Sequence, residues 1–358
     1  MRRYHGGRVE QGILDFSSPS NPLGPPPIVE EAIVDYARRG LYTRYPDYEY
    51  RRLREAVASY YNLDPELVVP LNGSAEALQL ILPVVKPKVV VSVEPTFGDH
   101  KLQAFSLGIP LLTIPYTSTG SRYVLDPSIY CSLPAGFRRS SLIITSNPNN
   151  PTGALTSRRV FEEILSCSGD DLILVVDEAF SDFTGNSESM LGLDVDNVIV
   201  VRSFTKIFCL QGLRVGFLYT SSRRLAKLLD NLRQPWNVNG VAVEVLLRIL
   251  EWSELKDYLR KSLEVTEMER AFLAKGLSNL GLKVYESHAP FILVEHPIEH
   301  PEFNEMLVRR GVYVRDASTF TYLSPFHSRV SVRLRRDNEI LLGVLKEVLG
   351  DKIPRKGY

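Results

Sequence analysis

The 358-residue sequence has little cysteine, no long apolar run and no excess of charge of either sign. Its three cysteines, Cys131, Cys167 and Cys209, lack the CxxC spacing of zinc and redox motifs, so we expect lone buried thiols in a reducing compartment. No apolar run approaches the ~20 residues that span a membrane, and the basic start leads into no signal-peptide core. These absences predict a soluble, cytoplasmic protein.

Nucleic-acid and nucleotide binding also lose their usual support. Lysine plus arginine and aspartate plus glutamate number 42 each, so no net field favours nucleic acid or an anionic membrane. No GxGxxG follows an expected strand and no GxxxxGK[ST] occurs, which argues against nicotinamide and P-loop chemistry. In EHPIEHPE (295–302), Pro297 and Pro301 exclude the helix that would bring His296 and His300 together. We therefore predict a loop there and no metal site.

The middle of the chain contains a series of short runs rich in valine, isoleucine and leucine. These runs lack clean alternation, as strands covered on both faces do, and amphipathic stretches such as 98–107 and 157–167 separate several of them. We therefore predict an α/β fold with a mostly parallel sheet, in which ligands bind beyond the carboxyl ends of strands. The predicted strands are 88–94, 111–116, 141–147, 171–179, 197–204 and 214–220.

The composition changes towards both ends, and the length suits two domains. The proline-rich stretch 17–27 excludes a regular helix or a central strand. A charge-rich helical segment at about 250–280 precedes short strands and further helices. We predict an N-terminal segment (1–40) that joins a smaller α+β domain (251–358), with a large domain (41–250) between them.

The motifs VVDEAF, RSFTK and GLRVGF follow one another and contribute Asp177, Lys206 and Arg214. This order is the one expected of a pyridoxal 5′-phosphate site. A lysine must bind the cofactor covalently, and a carboxylate must keep its pyridine nitrogen protonated. The hydroxyl of Ser203 and the guanidinium of Arg214 are suited to hold the phosphate. We therefore predict Lys206 and Asp177 as catalytic residues and pyridoxal 5′-phosphate as the cofactor.

Three further motifs supply candidate cofactor contacts. NGSAEAL opens a helix, and main-chain N–H groups near Ser74 and Ala75 would complete a phosphate site at its N-terminus. Asn150 in NPNNPTG is placed to donate a hydrogen bond to the phenolic oxygen of the cofactor. Phe97 in EPTFGDH directly follows a predicted strand, where an aromatic side chain can stack on the pyridine ring.

Together, the motifs NGSAE, PTF, NPNNPTG, DEAF, SFTK and GLRVG make the chain resemble the fold-type-I pyridoxal phosphate enzymes of the class I/II aminotransferase superfamily, over residues 4–349. The resemblance implies a large domain with a mostly parallel, seven-stranded sheet and a smaller α+β domain. It is greatest to the branch that holds histidinol-phosphate aminotransferase and L-threonine-O-3-phosphate decarboxylase. RYPDYEY is typical of that branch, where the tyrosine matching Tyr45 reaches the cofactor phosphate of the neighbouring subunit, so the resemblance implies a homodimer.

Several features resemble the decarboxylase more than the aminotransferase. They are HGG at 5–7, Trp236, and Phe180 in place of the tyrosine that is usual in the aminotransferases. The resemblance therefore implies a threonine-phosphate decarboxylase of cobalamin biosynthesis that acts on a phosphorylated amino acid. The alternative is transamination of the kind that histidinol-phosphate aminotransferase performs in histidine biosynthesis.

The same resemblance implies the substrate-binding residues. Arg315 and Arg329 match a pair that holds the anionic groups of the substrate, with Arg333 as the alternative to Arg329. His5, in the HGG motif, matches a residue that binds the substrate phosphate. Pro19 departs from the decarboxylase pattern, because it stands where that pattern has a substrate-binding asparagine.

Overall fold

A computed structural model of the chain describes residues 6, 7, 9–138, 140–168 and 172–350. Within these residues, strands and helices alternate through the first two thirds of the chain and then form a second, smaller assembly. The strands are β1 (Leu14–Asp15), β2 (Val68–Leu71), β3 (Val89–Glu94), β4 (Leu111–Pro115), β5 (Thr117–Thr119), β6 (Arg122–Val124), β7 (Ser141–Ser146), β8 (Ile173–Asp177), β9 (Val198–Ser203), β10 (Gly216–Tyr219), β11 (Lys283–Val284), β12 (Phe291–Glu295), β13 (Val312–Tyr313), β14 (Arg315–Asp316) and β15 (His327–Ser331).

The helices connect these strands and cover the sheets. They are α1 (Ile28–Arg38), α2 (Arg51–Tyr61), α3 (Ala77–Val85), α4 (Asp99–Ser106), α5 (Pro127–Cys131), α6 (Ala135–Arg138), α7 (Arg158–Ser166), α8 (Phe204–Ile207), α9 (Arg223–Leu232), α10 (Gly240–Leu250), α11 (Leu255–Asn279), α12 (Glu302–Val308) and α13 (Arg335–Gly350). Short 3₁₀ helices occur at Leu41–Thr43, Pro65–Leu67, Ser74–Glu76, Ser181–Thr184 and Ala317–Thr319.

The central sheet has seven strands in the order β2-β10-β9-β8-β7-β3-β4. The pairs from β4 to β9 are parallel, whereas β10 pairs antiparallel with both β9 and β2, so β10 alone runs against the other six. The predicted mostly parallel α/β sheet is confirmed, and each strand predicted in the middle of the chain is present. Valine, leucine and isoleucine on both faces explain the unbroken apolar runs, because helices cover the sheet on both sides.

Successive residues of these strands pack into two different apolar cores. Val91, Ile143 and Val176 pack with α7, whereas Val90 and Val175 pack with α3 and α9. Since neighbouring side chains in a strand point to opposite faces, each strand contributes to both cores. This arrangement leaves only the strand ends and the loops free to build a site.

One strand of the sheet, β2, was not predicted. Its sequence VVPL is short and contains Pro70, which cannot donate to a ladder hydrogen bond. The sheet accepts this proline because β2 lies at the edge, where only β10 pairs with it and Pro70 faces Phe217. A proline in a central strand would instead remove a hydrogen bond to one of the two neighbouring strands.

The second assembly is a four-stranded antiparallel sheet, β11-β12-β15-β14, packed against α11, α12 and α13. The N-terminal segment joins it, since β1 pairs with β13 and Phe16 is buried in its core. Helix α11 has 25 residues and a length of roughly 37 Å, so Leu255 packs with the large-sheet core and Leu277 with the smaller one. The domain boundaries at residues 40 and 250 stay a prediction.

Two of the three cysteines correct an expectation. Cys131 ends α5 and Cys167 follows α7, and the packing of these helices brings the two sulfurs into a disulfide. The expectation of lone thiols is therefore wrong for this pair, and Cys209 is the free cysteine. The pairing has no sequence signal, because 36 positions separate the two residues and only tertiary packing joins them. The inference of a reducing compartment loses its basis.

The histidine-rich segment at 295–302 gives a second correction. It is a loop, as expected, but the loop itself brings His296 and His300 together, with ring centroids 5.1 Å apart. Both Nε2 atoms lie 2.9 Å from Ser328 Oγ on β15. The prolines exclude a helix and do not exclude proximity. In the part of the chain that the structure describes, no group of three or more His, Cys, Asp and Glu is arranged to hold a metal ion, and none of the helices could cross a membrane.

Candidate active site

A cavity of about 380 Å³ lies beyond the carboxyl ends of β7, β8 and β9. Parallel strands bring the residues that follow them to one edge of the sheet, which is where α/β proteins bind ligands. The N-terminal segment and β15 close the opposite side. The predicted site residues that line the cavity are Ser74, Ala75, Phe97, Asn150, Asp177, Lys206, Arg214 and Arg329.

Lys206 lies in the single turn of α8, directly after β9. Burial, together with the positive charges of Arg329 and Arg214, lowers the pKa of its amine to about 8 against the attraction of Asp177. The ring of Phe180 lies 5.8 Å from the amine nitrogen. A substantial fraction of the amine is therefore neutral near pH 7.5, and a neutral amine is the form that attacks a carbonyl carbon.

Asp177 ends β8 and faces the same cavity. Its Oδ1 accepts a hydrogen bond from the N–H of Ala179 at 3.0 Å, and its Oδ2 lies 3.6 Å from His100 Nε2. His100 is buried and contacts the edge of Phe97. The sequence analysis did not identify His100, although its position one helical turn after Phe97 was a usable signal. The carboxylate is therefore held in one orientation at the strand end.

The opposite end of the cavity is built around the turn before α3. Gly73 has a φ of +73°, and a Cβ at this position would lie 2.4 Å from Arg214 Nη2. Only glycine leaves room for the guanidinium there, and glycine also adopts this backbone conformation without strain. The N–H groups of Ser74 and Ala75 open a 3₁₀ helix, so they have no partner within it. These donors and Arg214 form a cradle for an anion.

Of the two hydroxyl residues in the RSFTK motif, Thr205 lines the cavity and Ser203, the predicted one, does not. The two side-chain oxygens are 2.7 Å apart, so Ser203 contacts the site through Thr205. The motif SxT predicted a hydroxyl here, and the local turn decides which of the two faces the cavity. Gln211 is a further lining residue that the sequence analysis missed.

Two arginines meet at the far wall, where β14 and β15 place Arg315 directly opposite Arg329. Arg329 donates to Asn150 Oδ1 and, at 2.6 Å, to the carbonyl of Ser17, while its buried Nε has no hydrogen-bond partner. Burial and the charge of Arg315 lower the pKa of Arg329 to about 9. Arg315 does not line the cavity and donates to Asp316 O and Thr319 Oγ1.

A protein-family model, aminotransferase class I and II, matches residues 11–345 of the sequence. The chain belongs to this family. Histidinol-phosphate aminotransferase 1 of Archaeoglobus fulgidus is 33% identical over 347 residues, which cover 94% of this chain and 100% of the relative. The crystal structure of histidinol-phosphate aminotransferase from Clostridium acetobutylicum has a TM-score of 0.85 at 25% identity and covers 95% and 100% of the two chains.

The solved structure of a decarboxylase is also similar to this chain in fold. L-threonine-O-3-phosphate decarboxylase of Porphyromonas gingivalis has a TM-score of 0.76 at 21% identity, covering 90% of this chain and 95% of that one. The predicted superfamily, α/β fold and enzyme class are confirmed, and so is the predicted cofactor, pyridoxal 5′-phosphate. The cavity fits this group, because it offers a buried amine, a carboxylate and an anion cradle in which a Cβ at Gly73 would leave no room.

Tyr45 and Arg333 do not line the cavity of their own chain. Tyr45 is 78% exposed and stacks on Trp236 with ring centroids 4.2 Å apart, outside the cavity of its own chain. His5 lies outside the described residues. Arg333, the alternative to Arg329, forms an ion pair with Asp337 and does not line the cavity. Of the two alternatives, Arg329 is therefore the arginine that the fold brings to the lysine.

Proposed function

We propose that this enzyme transfers the amino group of a phosphorylated amino compound, with histidinol phosphate as the best-supported substrate. The observation that carries the proposal is the cavity in which Lys206 lies between the cations Arg214 and Arg329. The relatives at 30% identity or more that support it are histidinol-phosphate aminotransferases, matched over 94% of this chain. This reverses the order that the motifs favoured, in which decarboxylation came first.

Lys206 and Asp177 take the catalytic roles. When bound, pyridoxal 5′-phosphate supplies an aldehyde and an electron-accepting ring. Lys206 binds that aldehyde, and its amine, with a pKa of about 8, is suited to move a proton at the α-carbon of the substrate. Asp177 keeps the pyridine nitrogen protonated, since a carboxylate favours the positive form of a neighbouring base. Phe97 and Asn150 both line the cavity, where Phe97 would lie beside the ring and Asn150 would contact its oxygen.

The two anionic ends of the complex are bound at opposite walls. The cradle of Ser74, Ala75 and Arg214 would hold the cofactor phosphate, with Thr205 and, behind it, Ser203. The substrate anion takes Arg329, whose buried Nε is unpartnered, with Arg315 behind it. His5 stays a further candidate contact that the sequence resemblance implies. A guanidinium binds carboxylate and phosphate oxygens in pairs, which suits both candidate substrates.

We also propose that the active unit is a homodimer. Tyr45 and Tyr48 both pack on Trp236, and all three leave aromatic surface exposed outside the cavity of their own chain. Exposed aromatic clusters of this kind mark contact surfaces. A second copy would cover this surface, and Tyr45 would then complete the phosphate cradle of that copy.

Decarboxylation of threonine phosphate is the second candidate, favoured by Phe180. This ring lies against Lys206 where the aminotransferases of this branch usually have a tyrosine, so no phenol is available to donate to the cofactor oxygen. Both reactions use the same contacts to the cofactor. The choice between them depends on which bond of the substrate the cavity holds perpendicular to the ring.

Turnover with both substrates separates the two functions. Purified enzyme with pyridoxal 5′-phosphate is incubated either with histidinol phosphate and 2-oxoglutarate or with threonine phosphate alone. Keto product, glutamate and CO2 are measured in both assays. We expect glutamate formation that depends on both histidinol phosphate and 2-oxoglutarate, without CO2 from threonine phosphate. CO2 release with no glutamate would establish the second candidate instead. Lys206→Ala is the control, and it should abolish either product.

A further inference from the structure

The turn that carries Lys206 depends on hydrogen bonds from a distant part of the chain. Helix α8 has only four residues, so none of its carbonyls is satisfied within the helix itself. The first two accept from main-chain N–H groups a few residues further along. The last two accept from Asn21: its N–H donates to Lys206 O at 3.0 Å, and its Nδ2 donates to Ile207 O at 2.9 Å.

The side chain of Asn21 is buried, with 3% of its surface exposed, and both ends of its amide are used. Its Oδ1 accepts from the N–H of Leu23 at 3.0 Å. Its Nδ2 lies 2.8 Å from Tyr258 Oη and 2.7 Å from Ser262 Oγ, both on α11. An aspartate of the same shape could not donate these bonds. The amide therefore fastens the lysine turn to the long helix.

Asn21 also ends a short connection, residues 17–21, between the lysine and the arginine. At its other end, the carbonyl of Ser17 accepts from Arg329 Nη2 at 2.6 Å. Ser18 and Pro19 line the cavity between these two ends. Four residues span at most about 14 Å, so this connection limits how far the lysine turn and Arg329 can separate.

We propose that Asn21 is a positioning residue for Lys206, which it holds by satisfying the final carbonyls of the lysine turn in place of the missing next turn. The proposal rests on the proposed function of Lys206. Without the side-chain amide, the main-chain N–H still donates to Lys206 O, but Ile207 O keeps only the hydroxyl of Tyr258 as a donor. Tyr258 and Ser262 also lose their contact with the amide, so the turn is released from α11 and opens to water. A hydrated amine returns towards its ordinary pKa of ~10.4, so less of it is neutral at working pH.

The reactivity of the lysine amine tests the proposal without turnover. Cofactor-free enzyme is mixed with pyridoxal, which lacks the phosphate, across pH 6.5–10, and the adduct is fixed with borohydride and assigned by peptide mapping. From a pKa of about 8, a rise of one unit lowers the neutral fraction at pH 7.5 about eightfold. We expect Asn21→Ala and Asn21→Asp to show this loss, with the midpoint of the pH profile moved upwards.

Tyr130→Phe is the matched control for loss of a buried hydrogen bond. Tyr130 is fully buried and its hydroxyl lies 3.1 Å from Ser141 Oγ, at the start of β7 and away from the cavity. This variant should lose thermal stability and keep the unsubstituted midpoint. An unchanged midpoint in both Asn21 variants, or an equal shift in Tyr130→Phe, would overturn the proposal. Label on another lysine in the unsubstituted enzyme would overturn the assignment of Lys206 itself.

Discussion

The buried pair His296 and His300 should make the fold less stable in weak acid. His296 Nδ1 lies 2.7 Å from the carbonyl of Ile298, which can only accept, so this nitrogen carries the ring proton. Burial lowers the pKa of both rings, so both are neutral at pH 7. His296 Nε2 then accepts from the Ser328 hydroxyl, whose oxygen in turn accepts from His300 Nε2. A second proton on His296 would remove the hydrogen bond from Ser328.

The size of the effect follows from the pKa of His296. Burial and the neighbouring His300 lower it to about 3, against ~6.5 in an unfolded chain. Between these values the unfolded state binds more protons, so stability is complete above about pH 6.5 and is lost as the pH falls towards 3. At pH 5 the loss from His296 alone is about 2 kcal/mol. Burial lowers the pKa of His300 as well, which adds in the same direction.

Urea unfolding at pH 7 and pH 5 measures this loss. The unsubstituted protein should lose about 2 kcal/mol more between the two pH values than His296→Gln, which has no titrating ring. His288→Gln is the control for replacing a histidine at an exposed position, since His288 is 42% exposed. An equal pH dependence in His296→Gln and the unsubstituted protein would show that the ring is not buried in its neutral form.

Two other features give direct tests. The disulfide between Cys131 and Cys167 closes a loop of 36 residues, so reduction or Cys131→Ser should lower the free energy of unfolding by about 3.8 kcal/mol. Cys209→Ser is the control, and this variant should stay as sensitive to reductant as the unsubstituted protein, because Cys209 is outside the disulfide. Mixing inactive Lys206→Ala subunits with Tyr45→Phe subunits should restore activity if Tyr45 completes the site of a partner. If each site is built from one chain alone, the mixture should show no such gain in activity.

The half of the site that belongs to the large sheet could be predicted from local patterns. Lys206, Asp177 and Arg214 each directly follow or adjoin a strand, and the order of parallel strands brings such residues to one edge. What escaped prediction are contacts between distant segments. Asn21 reads as one more residue of a proline-rich loop, and His100 as an ordinary helical residue, until folding places them beside Lys206 and Asp177.

The same limit explains the errors. The prolines around His296 and His300 exclude a helix, and reasoning from helix geometry alone treated this as separation. The loop folds back on β15, and Ser328 holds both rings. Cys131 and Cys167 likewise meet only because α5 packs on α7. In both cases the local pattern was interpreted correctly, and the tertiary packing that decides proximity has no local signal.

The contrast between two buried arginines separates a binding residue from a structural one. Arg202 pairs with Glu178 at 2.9 Å and Asp182 at 2.7 Å, so its removal leaves buried carboxylates and should destabilise the fold by about 3–5 kcal/mol. Arg329 has neutral acceptors only, in Asn150 and Ser17.

Its pKa of about 9 lies well below that of a free guanidinium, which means that keeping its charge buried disfavours folding by about 5 kcal/mol at pH 7. The two hydrogen bonds offset about 1 kcal/mol each. Arg329→Met should therefore raise the free energy of unfolding by a few kcal/mol while it weakens binding of the anionic substrate, and Arg202→Met should lower it. Urea unfolding of the two variants decides the matter. A destabilised Arg329→Met would mean that Arg329 supports the fold, because a buried charge kept only to bind a ligand lowers the stability of the free protein.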